Sequence, residues 1–389
     1  MSTFFETLKD FYQQAMKSNW SPVVGGIIIA FLAVLLEAWY RPWGIVGGIR
    51  NWGEWFWYAI GVIEDRPPHP IWFSSSVLNL GLVLGAFISA TLAFEFGLRI
   101  PPLLEIIKGI IAGILMGIGA GLAQGCNIGA WYMSLGNLSG SGIIMMIGLF
   151  IGVFIGVKYL LWEIEHLSSS GGREISFGKL NPILGIIGII ILILGTYGYF
   201  RSEHEDGAVL GGCFILTAGI GYAIHRSRLC IVNSFREPFL SGDARMARGV
   251  ALSLILLTLG VTILKMAEIK EEMLYVTPTF GLAAFLGGII FGAAMVVAGG
   301  CGSGALWRVA EGQLKLWIVV IFFSISNAIF RHYLDNVWEV WDKGYLGKAV
   351  FLPHYFGYGI SFIIIALIIL IWYLLVDWNE KSEKFVIGI

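Results

Sequence analysis

The chain has 389 residues, 57% of them hydrophobic and 13% charged, with a mean hydropathy of +0.80. A soluble domain carries about a quarter charged residues, so this composition excludes one and describes an integral membrane protein. The formal net charge of −1 excludes a strongly basic nucleic-acid binder, and four cysteines without a C-x-x-C spacing exclude a disulfide scaffold or a zinc site.

Residues 1–20 read as an interfacial segment, because Phe4, Phe5, Leu8, Phe11 and Tyr12 recur at helical spacing. Glu6, Lys9, Asp10 and Lys17 interrupt it, unlike the basic stretch and short apolar run of a cleaved signal. Ten apolar runs of roughly bilayer length follow. The first five lie near Pro22–Tyr40, Val77–Phe96, Leu103–Ala123, Gly142–Trp162 and Pro182–Tyr199. The second five lie near Val209–Ile224, Val250–Met266, Phe280–Val297, Leu316–Phe330 and Tyr358–Val376. Between the fourth and fifth, Glu163 to Leu180 is polar and contains Ser168-Ser169-Ser170-Gly171-Gly172, which predicts a solvated, flexible linker. The predicted fold class is an all-α integral membrane protein with an inverted repeat, about ten transmembrane helices and short broken helices. Residues 21–200 would hold the first repeat and 201–380 the second.

The repeat is carried by two glycine-rich breaks. Ala123-Gln124-Gly125-Cys126-Asn127-Ile128-Gly129-Ala130 ends one apolar run, and Ala298-Gly299-Gly300-Cys301-Gly302-Ser303-Gly304-Ala305 ends another. A constant offset of 175 residues pairs Gly125 with Gly300, Cys126 with Cys301 and Gly129 with Gly304. Irregular backbone at membrane depth is tolerated only where it is buried in protein or lines a cavity. Matched breaks in two halves are the best sequence pointer to a transporter's substrate site.

Cys230-Ile231-Val232 through Arg236 matches Gly44-Ile45-Val46 through Arg50, so Gly44 stands where Cys230 stands in the second half. Cys213 sits inside an apolar run and reads as packing. A thiol near its ordinary pKa of about 8.5 is mostly protonated at neutral pH. It donates weakly, and a row of weak sites lets an anion pass. Backbone N–H groups at Asn127 to Gly129 and at Gly302 to Gly304 would add anion-friendly dipoles. The candidate path residues are therefore Cys126, Cys230, Cys301, Gly125, Asn127, Gly300 and Gly302, with Arg236, Arg308 and Glu311 close by. Arg308 and Glu311, three apart on a short helix, are expected to pair.

These residues resemble a known family. Gly125-Cys126, the stretch Arg226-Ser227-Arg228-Leu229-Cys230 with Ser234-Phe235-Arg236, and Gly299-Gly300-Cys301 with Trp307-Arg308-Val309-Ala310-Glu311-Gly312-Gln313 look like the YeeE/YedE family of bacterial inner-membrane transporters. The closer resemblance is to the longer YedE type, associated with selenium metabolism. It implies a pseudo-two-fold, hourglass-shaped helical fold and uptake of thiosulfate or a related sulfur or selenium anion. It also implies that Cys126, Cys230 and Cys301 relay the anion by S–H hydrogen bonds. A separate TusA-like sulfurtransferase is the partner it suggests, beside the lipid bilayer itself.

Most of the 25 Lys and Arg residues fall on the same side of the predicted spans as the N-terminus, which places both termini in the cytoplasm. No Walker motif is present, and neither cofactor nor metal is expected. The alternatives are a membrane thiol oxidoreductase, which would need closely spaced redox pairs, and a soft-metal transporter, which would need dense His/Met/Cys clusters.

Overall fold

A computed structural model describes residues 2–167 and 171–387. The Ser168–Ser170 part of the expected linker lies outside the described residues, as do the side chains of Phe4, Phe5 and Leu8. Among the described residues, ten helices are long and apolar enough to cross a membrane, each covering one of the predicted runs.

The lead-in α1 (Ser2–Tyr12) continues through a wide turn, Gln13–Lys17. It docks on the ends of later helices: the Tyr12 hydroxyl donates to the Leu92 carbonyl at 2.8 Å, and Arg226 donates to the Met16 and Lys17 carbonyls. This end of the molecule is the lead-in face, and the opposite end is the far face. Ser21 then caps α2 (Pro22–Trp39) by accepting from Val24 N at 3.2 Å, with Pro22 at the first helical position.

The first half continues with α3 (Val46–Ala59), α4 (Ser74–Leu92), α5 (Leu103–Leu122), α6, α7 (Ser141–His166) and α8 (Asn181–Arg201). Here α6 is a π-wound Asn127–Met133 extended by Ser134–Gly136. The second half repeats the order as α9 (Gly207–Ser227), α10 (Ile231–Leu240), α11 (Arg245–Met266), α12 (Leu282–Ala298), α13 (Gly302–Ala310), α14 (Leu314–His332) and α15 (Pro353–Ser382). Packing crosses between the halves in matched pairs. Helix α4 lies on α9 as α2 lies on α11, and α7 lies on α12 as α5 lies on α14. Small residues permit these approaches: a Cβ on Gly148 or Gly152 would stand 2.3 or 2.2 Å from the carbonyl oxygens of Phe285 and Ile289 on α12.

Polar side chains tie the helix ends at the lead-in face. Lys108 pairs with Glu105 and Glu163, each at 2.6 Å, and Lys315 pairs with Glu105 at 2.5 Å, joining α5, α7 and α14. Arg248 near the start of α11 pairs with Asp377 at 2.5 Å and also with Glu380, so the end of α15 returns to this face.

The linker departs from expectation. Glu163 belongs to the last turn of α7 and is buried, and Arg173–Ser176 forms an exposed strand β2. It pairs antiparallel with β1 (Gly97–Ile100), from Gly97 opposite Ser176 to Ile100 opposite Arg173. Composition showed the polarity of this stretch, but not the partner strand that gives it regular structure.

Candidate functional site

Three helices end the same way. The chain leaves each through a residue of positive φ: Gln124 (55°) after α5, Arg228 (52°) at α9 and Gly299 (78°) at α12. Two residues later stands a cysteine in extended backbone, and the next short helix begins immediately after it. Cys126 (φ −80°, ψ −173°) and Cys301 (φ −82°, ψ −173°) are nearly superimposable in conformation, while Cys230 has φ −137° and ψ 121°. Each cysteine therefore occupies the N-cap of a short helix, beside backbone N–H groups that lack an intrahelical acceptor. Cys301 Sγ accepts from Gly304 N at 3.3 Å. The fourth break differs. Ile45 caps α3 in helical geometry (φ −99°, ψ −42°), and no residue of 40–45 has a positive φ.

The three thiols converge. All are buried, at 0% exposure for Cys126 and Cys301 and 1% for Cys230. They gather around the first turn of α13, where two residues lack side chains. A Cβ on Gly302 would stand 2.9 Å from Cys126 Sγ, and one on Gly304 would stand 3.1 Å from Cys301 Sγ and 3.2 Å from Cys230 Sγ. Asn127 is fully buried beside them: Nδ2 reaches Met295 Sδ at 3.9 Å, and Oδ1 has no partner. An orphaned buried acceptor beside thiols marks a place suited to a polar guest. Cys213 is buried within α9, away from the breaks.

Gly125 and Gly300 serve the breaks themselves. A Cβ on either would meet the backbone of the short helix that follows, 2.8 Å from Ala130 N or 3.3 Å from Ala305 N. Arg308 and Glu311 do not pair with each other. Arg308 donates to the Gly299 carbonyl freed by the break, and its guanidinium lies 4.9 Å from the Trp307 ring centre. Glu311, in the turn after α13, takes Arg228 at 2.8 Å and Arg99 at 3.4 Å, with His225 Nε2 at 3.9 Å. The helical spacing of Arg308 and Glu311 brings them near, but stronger tertiary partners claim each one. Burial would raise the Glu311 carboxyl, yet His225 and Arg228 overcome it and hold it below the usual carboxylate range. Arg236 pairs with its neighbour Glu237 at 2.5 Å on α10.

The profile of the sulphur transport family matches residues 5–155 and 226–386. This chain belongs to the sulphur transport family. It is 25% identical over 327 residues to the probable transporter YedE of Escherichia coli K12, covering 77% of this chain and 79% of that protein. It is 24% identical over 324 residues to the YedE of Salmonella typhimurium LT2, covering 77% and 79% respectively. The match to the thiosulfate transporter TsuA of Escherichia coli K12 is 30% over 123 residues, covering 32% of this chain and 34% of that protein.

In this sulphur transport family member the far face holds groups that sequence reasoning passed over. A cavity of about 250 Å³ reaches Gly125 and is lined by Arg41, Arg50, Arg331, Gln124 and Tyr275. At roughly 30 Å³ per water, it has room for a small oxyanion with part of its hydration shell. Arg50 and Arg331 also line a second, polar cavity of about 530 Å³. The Tyr275 hydroxyl lies close to both Gly44 and Gly129, where added Cβ atoms would stand 2.9 and 2.8 Å from it. These cations lie in separate loops and helix ends, so no local pattern grouped them.

The lead-in face of the transporter is densely paired. Trp307 is buried between Arg308 and Arg228, whose guanidinium lies 5.3 Å from its ring centre. Glu95, His225 and Glu311 cluster behind it, but Arg226 and Arg228 bind the carboxylates at 2.5 to 2.8 Å. The arginines already hold oxygens that a metal ion would require.

Proposed function

We propose that the chain imports thiosulfate, or a related sulfur or selenium anion, across the bacterial inner membrane, with the lead-in face and both termini in the cytoplasm. The anion would gather among the arginines of the far-face cavity, meet Cys126, and pass by S–H hydrogen bonds to Cys301 and Cys230. The observation that carries this reading is the convergence of three buried thiols, each capping a short helix, on the side-chain-free positions Gly302 and Gly304. Thiols are weak donors and helix N-termini favour anions, so each site holds the ion without trapping it.

The matched element order and the crossed packing support an inverted repeat, 21–200 against 201–380, with its broken helices meeting at the centre. A TusA-like sulfurtransferase on the cytoplasmic side is the partner that the family resemblance supplies.

Cells lacking other sulfur uptake and expressing the chain should grow on thiosulfate, and Cys301→Ala should abolish that growth. Comparing radiolabelled thiosulfate with selenite in the same cells separates the substrates. Growth undiminished in Cys301→Ala would remove the relay from the mechanism. Thiol trapping that finds a disulfide cycling with function would favour an oxidoreductase instead.

A further inference from the structure

One buried acid has no part in the relay. Glu37 stands in the last turn of α2 at 0% exposure. Its Oε2 accepts a single hydrogen bond, from Asn137 Nδ2 at 3.3 Å, and its Oε1 has no partner. Asn137 follows α6, the short helix that Cys126 opens. The basic side chain that acts most strongly on it is Lys265 on α11, 2% exposed, and its hydrogen bonds go elsewhere. Its Nζ donates to the carbonyls of Glu272 at 2.8 Å, Leu274 at 2.9 Å and Asn137 at 3.3 Å. The same ammonium lies 4.9 Å from the Phe351 ring centre.

Asn137 thus joins the two groups without letting them meet. Its amide serves the acid and its carbonyl serves the ammonium. Other charged or titratable groups at this end include Arg41 just past α2, Glu268, Lys270, Glu271, Glu272 and Tyr275 in the segment after α11, Cys213 on α9, and His354 and Tyr358 on α15. None supplies a hydrogen bond to Glu37: Lys270 donates to the Tyr40 carbonyl, Arg41 donates to Ser74, and His354 and Tyr358 face Glu272.

A carboxylate sealed from water with one amide donor is costly, whereas a neutral carboxyl in the same place is not. Ionisable groups inside membrane spans commonly mark proton relays. The position also suits coupling. The segment after α11 whose Glu272 and Leu274 carbonyls take Lys265 also carries Tyr275, which lines the cavity reaching Gly125 beside the first thiol.

We propose that Glu37 is a proton-binding site that couples anion passage to proton entry from the far face. The proposal rests on the anion-import reading. A dianion moving inward works against an inside-negative potential, and a proton carried with it offsets part of that charge. The proton from far-face water bonds to a Glu37 carboxylate oxygen, giving the neutral acid. Movement of α6 as the anion passes Cys126 would shift Asn137 and let Lys265 approach, which favours the carboxylate and releases the proton to the hydration water that travels with the anion.

The test uses the full chain in liposomes, with radiolabelled thiosulfate as the probe. An acid-outside gradient should raise wild-type uptake several-fold, and the ratio of rates with and without the gradient should fall to near unity in Glu37→Gln. Glutamine still accepts from Asn137, so the packing is kept. A gradient that leaves wild type unchanged, or that speeds Glu37→Gln equally, overturns the coupling. A second readout stands apart from transport. The purified wild type at neutral pH should show the infrared carbonyl band of a protonated carboxyl, and Glu37→Gln should lose it. Absence of that band overturns the proton site even where uptake is normal, and it decides the matter if Glu37→Gln moves nothing. Wild type that takes up no thiosulfate in either arm defeats the substrate reading, and the band then judges the proton site alone.

Discussion

The breaks at Cys126 and Cys301 share a backbone conformation but not their surroundings. Around Cys126 the molecule opens: Gly125 and Gly129 line a cavity with three arginines, and the short helix ends at Asn137, held by one acid and one ammonium that do not pair. Around Cys301 the charges are paired: Arg308 fills the freed carbonyl, Trp307 has two guanidinium groups within 5.3 Å of its ring centre, and the short helix ends at Glu311, held by Arg228 and Arg99. The same backbone break thus stands beside an arginine-lined cavity in one half and beside a closely paired ion cluster in the other. A half-satisfied carboxyl can change its charge, whereas a carboxylate held by two arginines resists change.

The comparison breaks most severely if the meeting point of the thiols is filled. Gly304→Val places bulk within 3.2 Å of both Cys301 and Cys230 sulfur atoms. Uptake should drop to background while thiol labelling of the unfolded protein still counts four cysteines. Normal transport in this variant would show that the anion avoids the cluster.

Next in size is the far-face cavity. Arg331 lines both far-face cavities, pairs with Asp335 at 2.9 Å and lies 3.5 Å from the Gly121 carbonyl. A charged contact is worth about 1.5–3 kcal/mol, so Arg331→Ala should raise KM for the anion by about tenfold or more. Its maximal rate should fall much less. The complementary cut beside Cys301, Arg308→Ala, would be expected to lower the maximal rate instead.

The smallest effect on transport is expected at Glu311, where the readout is stability. Its folded pKa is lowered, so its contribution is complete above the unfolded value near 4.3 and declines as pH falls through the lowered folded value. Glu311→Gln should melt on the order of 5 °C below wild type at neutral pH. That gap should close as the medium is acidified below about pH 4. A gap independent of pH would show that the network contributes shape rather than charge.

The ten crossings, the two glycine-rich breaks and the three cysteines at helix breaks were legible in the order of residues. Each is a local signal: an apolar run of bilayer length, a glycine cluster at a helix end, a rare residue recurring at a fixed offset. Partnerships were less legible. Spacing suggested that Arg308 would meet Glu311, but the fold gives one to a backbone carbonyl and the other to Arg228 and Arg99. Glu37 looked like the end of an apolar run, and its isolation appears only when Asn137 and Lys265 arrive from elsewhere in the chain. Arg41, Arg50 and Arg331 are far apart in sequence, and only packing sets them around one cavity.

The sequence by itself determined the solvent in which this protein lives and the positions where its helices stop, because burial in lipid and backbone irregularity are decided by adjacent residues. Only the tertiary structure decided which distant side chains share a site. Electrostatic and hydrogen-bond partners are chosen over a few ångströms of space, and helix packing brings residues from opposite halves of the chain within that reach.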